Sequence, residues 1–456
     1  MKSGDFAKAA FIKNYGCQMN VYDAERMASI LQAEGYVMVE RAEEAGLVIL
    51  NTCHIREKAA EKVYSDIGRF VKRCKPRPMI GVVGCVAQAE GEEMRRRQPH
   101  IDFVMGPQSY HKLGAMVKGV RGGSADRVMV EFLVEEKFAA LKRLAPLQKR
   151  ACQILTIQEG CDKFCSFCVV PYTRGAEVSR PMGEVLLEAE KLLDAGAVEI
   201  TLLGQNVNGW RCGVHDFASL LTRLCESRKL KRLRYSTSHP CDMTESLIRA
   251  HGELEVLMPH LHLPAQSGSD RILTAMNRRH SRKEYVGIIE ALRGVRPDIA
   301  LSSDFIVGFP SETEEDFEET LSLVREIGFA QAYSFKYSPR PGTPAEGREQ
   351  VAESVKAERL ARLQEQLGAD QLAFNRETET RAMPILWEKR GKVEGQLVGR
   401  SPYMQAVHAM RPESYIGEIE TMSIAEAQPR SLKALPLAQK ARKPHSEKMN
   451  PALERV

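Results

Sequence analysis

Short apolar segments alternate with longer amphipathic segments along most of the chain, and this alternation restricts the possible folds more than any other feature. Across residues 11–106, runs such as "LVILNTC" and "PMIGVVGC" are separated by segments with apolar residues at helical spacing, for example "VYDAERMASILQAEG". Strands that alternate with helices pair into a mostly parallel sheet with helices on its faces. The sequence therefore predicts an α/β fold that begins with an amino-terminal open parallel domain, over residues 8–125.

Residues 107–150 are typical of a connector that ends in the basic, proline-containing "LKRLAPLQKR". A second alternating series follows, with no sign of a second open sheet, and it predicts a partial parallel (β/α)6 barrel over residues 147–376. In such a barrel the active residues project from the loops after the strands. The six strand-like segments are "CQILTIQEGC", "VEITLLGQN", "RLRYSTSHP", "PHLHLPAQSGS", "IALSSDFIVGFP" and "QAYSFKYSP".

The pattern changes again at about residue 377, where short strand-like runs follow one another without long helices. This predicts a small antiparallel β-barrel over residues 377–440, a type of domain that often binds oligonucleotides. Two interpretations of its larger side chains stay open. Either Trp387 and Tyr403 stack on bases while Arg400 contacts phosphate, or the aromatic rings pack in the barrel core.

Charge and cysteine content restrict the class of protein. The formal net charge is +5. The segment from Arg430 onward contains seven Lys or Arg and only two Glu, so the basic excess is confined to the carboxyl end. We expect residues 441–456 to form a basic, disordered tail that is either simply solvated or in contact with RNA. Eleven cysteines are an odd number, which favours metal or redox chemistry over a disulfide framework. Without a signal segment or a membrane-length apolar run, we expect a cytoplasmic protein that does not contact membranes.

Three cysteines that are far apart in the sequence each end a predicted strand of the first domain. Cys17, Cys53 and Cys85 stand in "NYGC", "LNTC" and "VVGC", where the chain turns out of the sheet. The carboxyl ends of parallel strands meet in one crevice, which is where open α/β sheets bind ligands. Cysteine also ends strands simply because it is small and apolar, but three such cases favour a metal site.

A second set of cysteines, Cys161, Cys165 and Cys168, lies in "CDKFCSFC", in the loop after the first predicted barrel strand. A closed structural zinc site takes four ligands, and no second ligand pair lies nearby. A four-iron cluster is normally held by four thiolates, so three leave one iron open. The C-x3-C-x2-C spacing resembles that of the radical S-adenosylmethionine (SAM) enzymes. In that superfamily the methionine part of SAM binds the open iron, which makes these cysteines catalytic cluster ligands.

The same resemblance implies further SAM-binding residues. Phe167 precedes the last cysteine, where these enzymes place an aromatic ring beside the adenine of SAM, and Glu177 falls where a carboxylate meets the methionine ammonium. Three more candidates end later barrel strands with polar groups directed into the barrel mouth: Gln205, Ser236 and Gln266. Hydrogen bonding to local turns is the other interpretation of these three side chains.

Both cysteine sets, their order and the third domain together resemble the methylthiotransferase family over residues 8–440. The resemblance implies that Cys17, Cys53 and Cys85 hold a second [4Fe-4S] cluster in addition to the radical SAM cluster. It also implies that the carboxyl-terminal barrel is an RNA-binding TRAM domain. Two SAM molecules are consumed per turnover in this family: one methylates a sulfur associated with the amino-terminal cluster, and the other yields the radical that abstracts hydrogen.

Within that family, the strings "NYGCQMNVYDAERM", "NTCHIREKAAEKV" and "SPRPGTPA" look most like the branch that converts N6-isopentenyladenosine at position 37 of tRNA to its 2-methylthio derivative. Branches that act on threonylcarbamoyladenosine in tRNA or on a ribosomal-protein aspartate stay open as alternatives. The C2–H of adenine is not acidic and carries no leaving group, so its replacement by sulfur requires a radical. The partners implied are the tRNA anticodon stem-loop and a low-potential reductant such as flavodoxin or ferredoxin, while the sulfur donor is not identified.

Two rival classes of protein share some of these features. A non-catalytic iron–sulfur protein that transfers electrons or binds RNA needs no SAM, so it would form no 5′-deoxyadenosine. A structural zinc protein would carry zinc, lack sulfide and show no absorption near about 400 nm.

Overall fold

The structure of this protein is a computed structural model in which the chain divides into two compact units. The first unit ends at Phe374 and the second begins at Asn375. The residues that the structure describes are 7–53, 59–132, 134–141 and 150–437. Within these ranges, no helix is long and apolar enough to cross a membrane. The basic tail predicted at the carboxyl end, over residues 441–456, lies outside the described residues.

Six parallel strands form the open sheet at the start of the first unit, as the sequence predicts. They are β1 (Ala9–Asn14), β2 (Val37–Met38), β3 (Leu47–Thr52), β4 (Met79–Gly84), β5 (Phe103–Met105) and β6 (Val128–Met129). Their order across the sheet is β2-β1-β3-β4-β5-β6. The helices of this region are α1 (Gln18–Ala33), α2 (Ala59–Arg73), α3 (Cys85–Glu90), α4 (Glu92–Arg97), α5 (Leu113–Arg121) and α6 (Val134–Leu141).

The central strand β3 begins with four apolar residues because both faces of the sheet are covered. Every residue of β3 is buried. Val48 and Leu50 belong to the core on one face, and Leu47 and Ile49 to the core on the other. A strand buried on both sides has no polar alternation, which explains the continuous apolar run in the sequence.

The segment predicted to be a connector contributes to this sheet instead. It contains α5 and α6, and its two-residue strand β6 pairs with β5. The sheet therefore extends past residue 125, where the sequence pattern placed the end of the domain. A strand of two residues has too little periodicity to be recognised before the structure is known.

Six parallel strands also form the centre of the first unit, in two sheets of three. They are β7 (Cys152–Thr156), β10 (Glu199–Leu203), β11 (Arg232–Ser236), β12 (His260–His262), β13 (Ala300–Val307) and β14 (Gln331–Lys336). A parallel bridge between Leu233 and Leu257 joins β11 to the segment before β12. The predicted partial (β/α)6 barrel is thereby confirmed.

The remaining elements of this region surround the six strands or connect them. A separate antiparallel pair consists of β8 (Gln158–Glu159) and β9 (Val178–Ser179). The helices are α7 (Val170–Arg174), α8 (Met182–Asp194), α9 (Phe217–Cys225), α10 (Glu245–Glu253), α11 (Asp270–Ala275), α12 (Arg282–Val295), α13 (Glu314–Ile327) and α14 (Glu353–Arg376). Short 3₁₀ turns occur along the whole chain at Ala42–Glu44, Tyr110–Lys112, Val207–Gly209, Pro240–Asp242 and Glu413–Tyr415.

Local sequence explains where two of the barrel helices begin. The Ser281 hydroxyl accepts the N–H of Glu284, and the Glu284 carboxylate accepts the N–H of Ser281, which is a capping box at the start of α12. Thr313 and Asp316 form the same reciprocal arrangement at the start of α13. Each box satisfies backbone donors that the first helical turn leaves without a partner.

The second unit contains a closed barrel of five strands. They are β15 (Ala382–Arg390), β16 (Gln396–Arg400), β17 (Ala406–Met410), β18 (Ile419–Gln428) and β19 (Ser431–Pro436). The prediction of a small antiparallel barrel is confirmed, except that the pairing of β17 with β19 is parallel. The strand-like runs that the sequence shows here are "AMPILWEK", "KVEGQLVGRS", "YMQAVHAM" and "SYIGEIETM". They do not include β19, because its residues merge into the basic carboxyl-terminal segment.

The structure decides between the two interpretations of the aromatic residues in the case of Trp387. Trp387 is fully buried in the barrel core, and its Nε1–H donates to Glu420 Oε2 at 3.1 Å. Of the two interpretations left open by the sequence, packing in the barrel core is therefore the one that holds for Trp387. Tyr403 packs partly against the same core, and Arg400 donates from Nη1 to the carbonyl oxygen of Met404 at 3.2 Å.

Candidate active site

Cys17, Cys53 and Cys85 lie together at one edge of the amino-terminal sheet. Cys53 and Cys85 directly follow β3 and β4, and Cys17 comes three residues after the end of β1. Those three strands are neighbours, so their carboxyl ends bring the thiols to one place. Cys17 and Cys53 are within hydrogen-bonding reach of each other, and the guanidinium group of Arg174 interacts electrostatically with Cys17 and Cys85.

Two glycines allow the close backbone approach that this grouping needs. A Cβ at Gly16 would lie 2.6 Å from the Cβ of Cys53 and 2.3 Å from Asn20 Oδ1. Gly84 has a φ of 103°, and a Cβ there would lie 2.4 Å from the carbonyl oxygen of Thr52. Any larger residue would collide at Gly16 and would be both strained and in collision at Gly84.

A pair of buried amides fixes the segment that carries Cys17. Asn20 Nδ2 donates to Asn51 Oδ1 at 3.1 Å and to the carbonyl oxygen of Thr52 at 2.8 Å. Asn51 Nδ2 donates in return to the carbonyl oxygen of Asn20 at 2.8 Å. The Cys17 thiol lies 3.3 Å from Asn20 Oδ1. The first turn of α1 is therefore tied to the end of β3, since buried amides require such partners.

Hydrogen bonding shifts the Cys17 thiol toward its thiolate. Its hydrogen bond with Cys53 lowers the pKa of Cys17 to about 6, although burial acts in the opposite direction. The backbone of Asn20 and the cation of Arg174 lower this pKa further. The thiolate is the form that binds metal, so the surroundings of Cys17 suit a metal ligand.

Cys161, Cys165 and Cys168 lie on one loop, between β8 and α7. Backbone hydrogen bonds shape this loop: the N–H of Cys168 donates to the carbonyl oxygen of Cys165 at 2.9 Å, and the N–H of Cys161 donates to that of Gly175 at 3.2 Å. The thiol of Cys165 interacts electrostatically with both of the other thiols. The second predicted set of ligands is thus also brought together.

The turn before Cys161 depends on Gly160 and two glutamines. Gly160 has a φ of 79°, and a Cβ there would lie 1.8 Å from the carbonyl oxygen of Ala176. Its N–H donates to Gln205 Oε1 at 2.6 Å, while Gln158 Oε1 accepts the N–H of Gln205 at 2.8 Å. The side-chain amide oxygen of Gln205 therefore holds the turn that carries the cysteines, and a contact of Gln205 with SAM stays a prediction.

Burial dominates the electrostatics of this second set. It raises the pKa of Cys161 to about 11 and that of Cys168 to about 12. Cys165 is buried and accepts a hydrogen bond from Arg278 Nη1 at 3.5 Å. A buried guanidinium beside a thiolate offsets the negative charge of thiolate-bound metal and orients the ligand. Arg278 was not among the residues predicted from the sequence.

Glu177 belongs to a polar group next to the second set. Asn206 Nδ2 donates to Glu177 Oε2 at 3.4 Å and to Asp242 Oδ2 at 2.8 Å. The ammonium of Lys163 lies 2.7 Å from Asp242 Oδ2. Burial raises the pKa of Glu177. Asp242 and Lys163 were missed by sequence reasoning, because nothing in the local pattern shows that a residue after β11 meets the cysteine loop.

The other predicted SAM-binding residues lie at the barrel mouth or on the cysteine loop. Phe167 is half-buried and packs against an apolar cluster that includes Phe309. Ser236 is the half-buried last residue of β11. Gln266 is buried with a φ of 76°, and its N–H donates to the carbonyl oxygen of Asp304 at 2.9 Å. A contact of these three side chains with SAM stays a prediction.

Several buried polar atoms near the second set have no hydrogen-bond partner among the described residues. They lie after β10 and β11 and in the loop that contacts Cys165, where the rings of His239 and His280 stand 6.0 Å apart. Buried polar groups in native proteins are normally satisfied, so a polar ligand fits here. The atoms are Asn206 Oδ1, Ser238 Oγ, His239 Nε2, Arg278 Nε and His280 Nε2.

Each thiol set offers three ligands, one fewer than a closed structural zinc site takes. Among the described residues, no three His, Cys, Asp or Glu side chains are grouped to hold a single ion. In an iron–sulfur cluster each thiolate binds a different iron, so three thiolates leave one iron of a four-iron cluster open. Three thiols beside unpartnered polar groups therefore fit a cluster with one open iron better than a closed tetrahedral zinc site.

Two parts of the chain match known families. Residues 9–106 match the uncharacterized protein family UPF0004, and residues 155–324 match the radical SAM superfamily. Each match contains one of the two sets of three cysteines.

Full-length relatives and solved structures extend these matches. The chain is 53% identical over 428 residues to a tRNA-2-methylthio-N(6)-dimethylallyladenosine synthase of Cereibacter sphaeroides, which covers 93% of this chain and 98% of that protein. It is 55% identical over 447 residues to a protein of the same description from Agrobacterium fabrum, with coverages of 94% and 98%. The radical S-adenosylmethionine methyltransferase TsrM from Kitasatospora setae, solved with cobalamin and a [4Fe-4S] cluster, matches with a TM-score of 0.57 and 12% identity, covering 74% of this chain and 77% of that one. At 12% identity this last match shows a shared fold alone.

Proposed function

Because the chain belongs to the tRNA-2-methylthio-N(6)-dimethylallyladenosine synthases, the MiaB branch of the methylthiotransferase family, we propose that it inserts a methylthio group at C2 of N6-isopentenyladenosine 37 in tRNA. It is a radical SAM enzyme, and the family implies SAM and a [4Fe-4S] cluster. The observation that carries the proposal is the pair of three-thiol sets, one in each matched region, in a chain that aligns with such a synthase over 93% of its length.

We assign one [4Fe-4S] cluster to each set of thiols. When bound, the barrel cluster would supply the electron that cleaves SAM to a hydrogen-abstracting radical, and the second cluster would supply the methylthio group; the family implies two SAM molecules per turnover. The ligands are Cys161, Cys165 and Cys168 for the radical SAM cluster, and Cys17, Cys53 and Cys85 for the second cluster.

The residues around the barrel mouth bind and orient SAM in this proposal. Glu177 and Asp242 share the amide of Asn206 and present carboxylate oxygens suited to an ammonium group. Phe167 offers a half-buried ring for the adenine. Ser236 and Gln266 supply hydrogen bonds from neighbouring strand ends, and Gln205 keeps the cysteine loop in place through Gly160.

The substrate and partners follow from the same family. The target base has to leave the anticodon-loop stack to reach a site of buried residues, as for other enzymes that modify bases. In the proposal the carboxyl-terminal barrel is a TRAM domain that holds the anticodon stem-loop, a flavodoxin or ferredoxin supplies electrons, and the enzyme acts in the cytoplasm. The sulfur donor is not assigned.

Nucleoside mass spectrometry of tRNA tests the substrate. Deletion of the gene is expected to remove 2-methylthio-N6-isopentenyladenosine and to leave N6-isopentenyladenosine in its place, and re-expression of the chain restores the product. An unchanged nucleoside profile would contradict the proposal. Loss of a methylthiolated threonylcarbamoyladenosine, or of a modified ribosomal-protein aspartate, would instead assign the chain to another branch.

Two measurements on the purified, anaerobically reconstituted protein exclude the rival classes. Reduced protein with SAM is expected to form 5′-deoxyadenosine, which a passive iron–sulfur protein does not do. Iron and sulfide are each expected at about eight atoms per chain, four for each cluster. Zinc without sulfide would contradict the assignment.

A further inference from the structure

Four buried charged side chains join the amino-terminal domain to the barrel. Arg174, at the end of α7, donates from Nη2 to Asp23 Oδ2 at 2.7 Å and from Nη1 to Glu159 Oε2 at 3.3 Å. Lys137 also hydrogen-bonds to Glu159, and its Nζ lies 3.7 Å from Asp23 Oδ1. All four side chains are at most 3% exposed. Asp23 and Lys137 come from the amino-terminal region, while Arg174 and Glu159 belong to the barrel region.

This network lies beside the amino-terminal thiols. Asp23 is on α1, six residues after Cys17. Helix α7 packs against α3, whose first residue is Cys85. Arg174 interacts electrostatically with the thiols of both cysteines. The side chain of Gln108 donates to the backbone carbonyl oxygen of Arg174 at 2.9 Å, which fixes the position of Arg174. A cation supplied by the barrel is therefore held at the site in the other domain.

The charges of the network cancel only while Arg174 is present. Glu159 hydrogen-bonds to both Lys137 and Arg174, and Asp23 also pairs with both cations. Two cations then face two anions. Without the guanidinium, Asp23 and Glu159 would leave one uncompensated negative charge, and charges act strongly on each other in a buried site.

We propose that Arg174 is a positioning residue that raises the reduction potential of the [4Fe-4S] cluster held by Cys17, Cys53 and Cys85. The potential of such a cluster depends on the net charge around it, because a nearby negative charge opposes the addition of an electron. The inference rests on the proposed function, which assigns a cluster to those thiols. It also links the two sites, since the loop that carries Cys168 continues through α7 to Arg174.

A second buried arginine at the same domain boundary provides a matched control. Arg180 donates from Nη2 to Glu188 Oε2 at 2.7 Å, and Glu188 also pairs with Arg26 of the amino-terminal domain. The Arg180 side chain is 2% exposed. Its charge faces Glu188, Tyr22 and Arg26. Loss of Arg180 would thus remove a buried cation at the domain boundary without removing the cation beside the thiols.

The test is a redox titration followed by electron paramagnetic resonance, on the full chain in which the three cysteines of the barrel loop are replaced by alanine. Only the amino-terminal cluster then contributes to the electron paramagnetic resonance signal. Arg174→Gln is expected to shift the midpoint potential to a lower value, whereas Arg174→Lys keeps it close to that of the parent. Arg180→Gln leaves it unchanged. Asp23→Asn removes a negative charge and is expected to shift the midpoint in the opposite direction, to a higher value.

The outcomes separate this inference from the proposed function. A midpoint that Arg174→Gln leaves unchanged, at full iron content, overturns the inference, and so does an equal shift in Arg180→Gln. If Arg174→Gln fails to retain iron, Asp23→Asn decides alone: a higher midpoint supports the inference, and an unchanged one overturns it. A parent chain that binds no iron or sulfide would instead refute the assignment of the second cluster.

Discussion

Each of the two thiol sites contains three cysteines, but the two sites are built in different ways. Cys17, Cys53 and Cys85 follow three separate strands and meet only because those strands are parallel neighbours in the sheet. The cysteines of the barrel site lie on one loop that backbone hydrogen bonds hold in shape. One site therefore depends on sheet topology, and the other depends on local chain conformation.

This difference determines what each site tolerates. The amino-terminal site requires that backbones approach closely, at Gly16 and Gly84, and that buried amides lock the first turn of α1 to β3. The barrel site requires a positive φ at both Gly160 and Phe164 and the support of Gln205 and Arg278. Damage to either framework is expected to empty one site while the other remains.

The largest effect is expected when the barrel thiols are removed. Combined replacement of Cys161, Cys165 and Cys168 by alanine should reduce 5′-deoxyadenosine formation to the level of a protein-free sample, because no ligands remain for the cluster that binds SAM. Liquid chromatography of the reduced reaction mixture measures this. Cys225→Ala, in α9, is the control and should leave the rate unchanged. Residual SAM cleavage well above background would show that the radical site lies elsewhere.

Two glycine substitutions are each expected to disrupt the backbone around one thiol site and to leave the other site intact. Gly16→Ala places a methyl group 2.6 Å from the Cβ of Cys53, and Gly160→Ala places one 1.8 Å from a carbonyl oxygen at a positive φ. Each variant should lose about half of the iron, about four atoms per chain. Gly16→Ala should keep 5′-deoxyadenosine formation, and Gly160→Ala should lose it.

The control for both glycine variants is Gly287→Ala. Gly287 lies in the exposed part of α12, and a Cβ there meets nothing within 4 Å. That variant should keep all of its iron and gain up to about 1 kcal/mol of stability, because alanine favours a helix more than glycine does. Iron loss from both clusters in Gly16→Ala would contradict the separation of the frameworks.

An intermediate effect is expected at Arg278. Arg278→Met removes the hydrogen bond to Cys165 Sγ and should lower the rate of 5′-deoxyadenosine formation by about 10-fold to 100-fold, as is usual for groups that support metal ligands. Arg296→Met is the matched control, since that guanidinium contacts the carbonyl oxygen of His251 and the carboxylate of Asp298 instead. Equal rates in the two variants would remove Arg278 from the site.

The smallest effect is expected from a change that touches neither site. Ser281→Ala breaks the capping box of α12 and should lower the free energy of unfolding by about 1 kcal/mol. Denaturant titration measures the loss, with Ser281→Thr as the conservative variant. Iron content and 5′-deoxyadenosine formation should stay at the level of the unmodified chain, and a fall in either would show that the scaffold and the sites are more tightly coupled than proposed.

Sequence patterns predicted the arrangement of both thiol sets because each depends on regular features. Strand–helix alternation indicates parallel strands, and parallel strands place Cys17, Cys53 and Cys85 at one edge. The barrel site is recognisable because its three cysteines lie close together in the sequence. The patterns failed where the determining contact joins remote elements: Arg174 with Asp23, and Asp242 with Lys163, show no periodicity that connects them.

Weak local signals explain the remaining differences. The short strand β6 lies in a segment that was predicted to be a connector, and β19 merges with the basic residues after it. Trp387 illustrates a different limit, because the sequence shows an aromatic residue on a strand but does not show which face of the barrel it occupies. Burial settles this question, since Trp387 is 0% exposed.

The proposal that the barrel site cleaves SAM and the amino-terminal site transfers sulfur is tested most directly by one variant. In this variant Cys17, Cys53 and Cys85 are all replaced by alanine. The measurement is a single reaction with isopentenylated tRNA, in which 5′-deoxyadenosine and the tRNA nucleosides are quantified together. The expected result is continued formation of 5′-deoxyadenosine with no 2-methylthio product. Methylthiolation at the rate of the unmodified enzyme would contradict the assignment of sulfur transfer to the amino-terminal thiols.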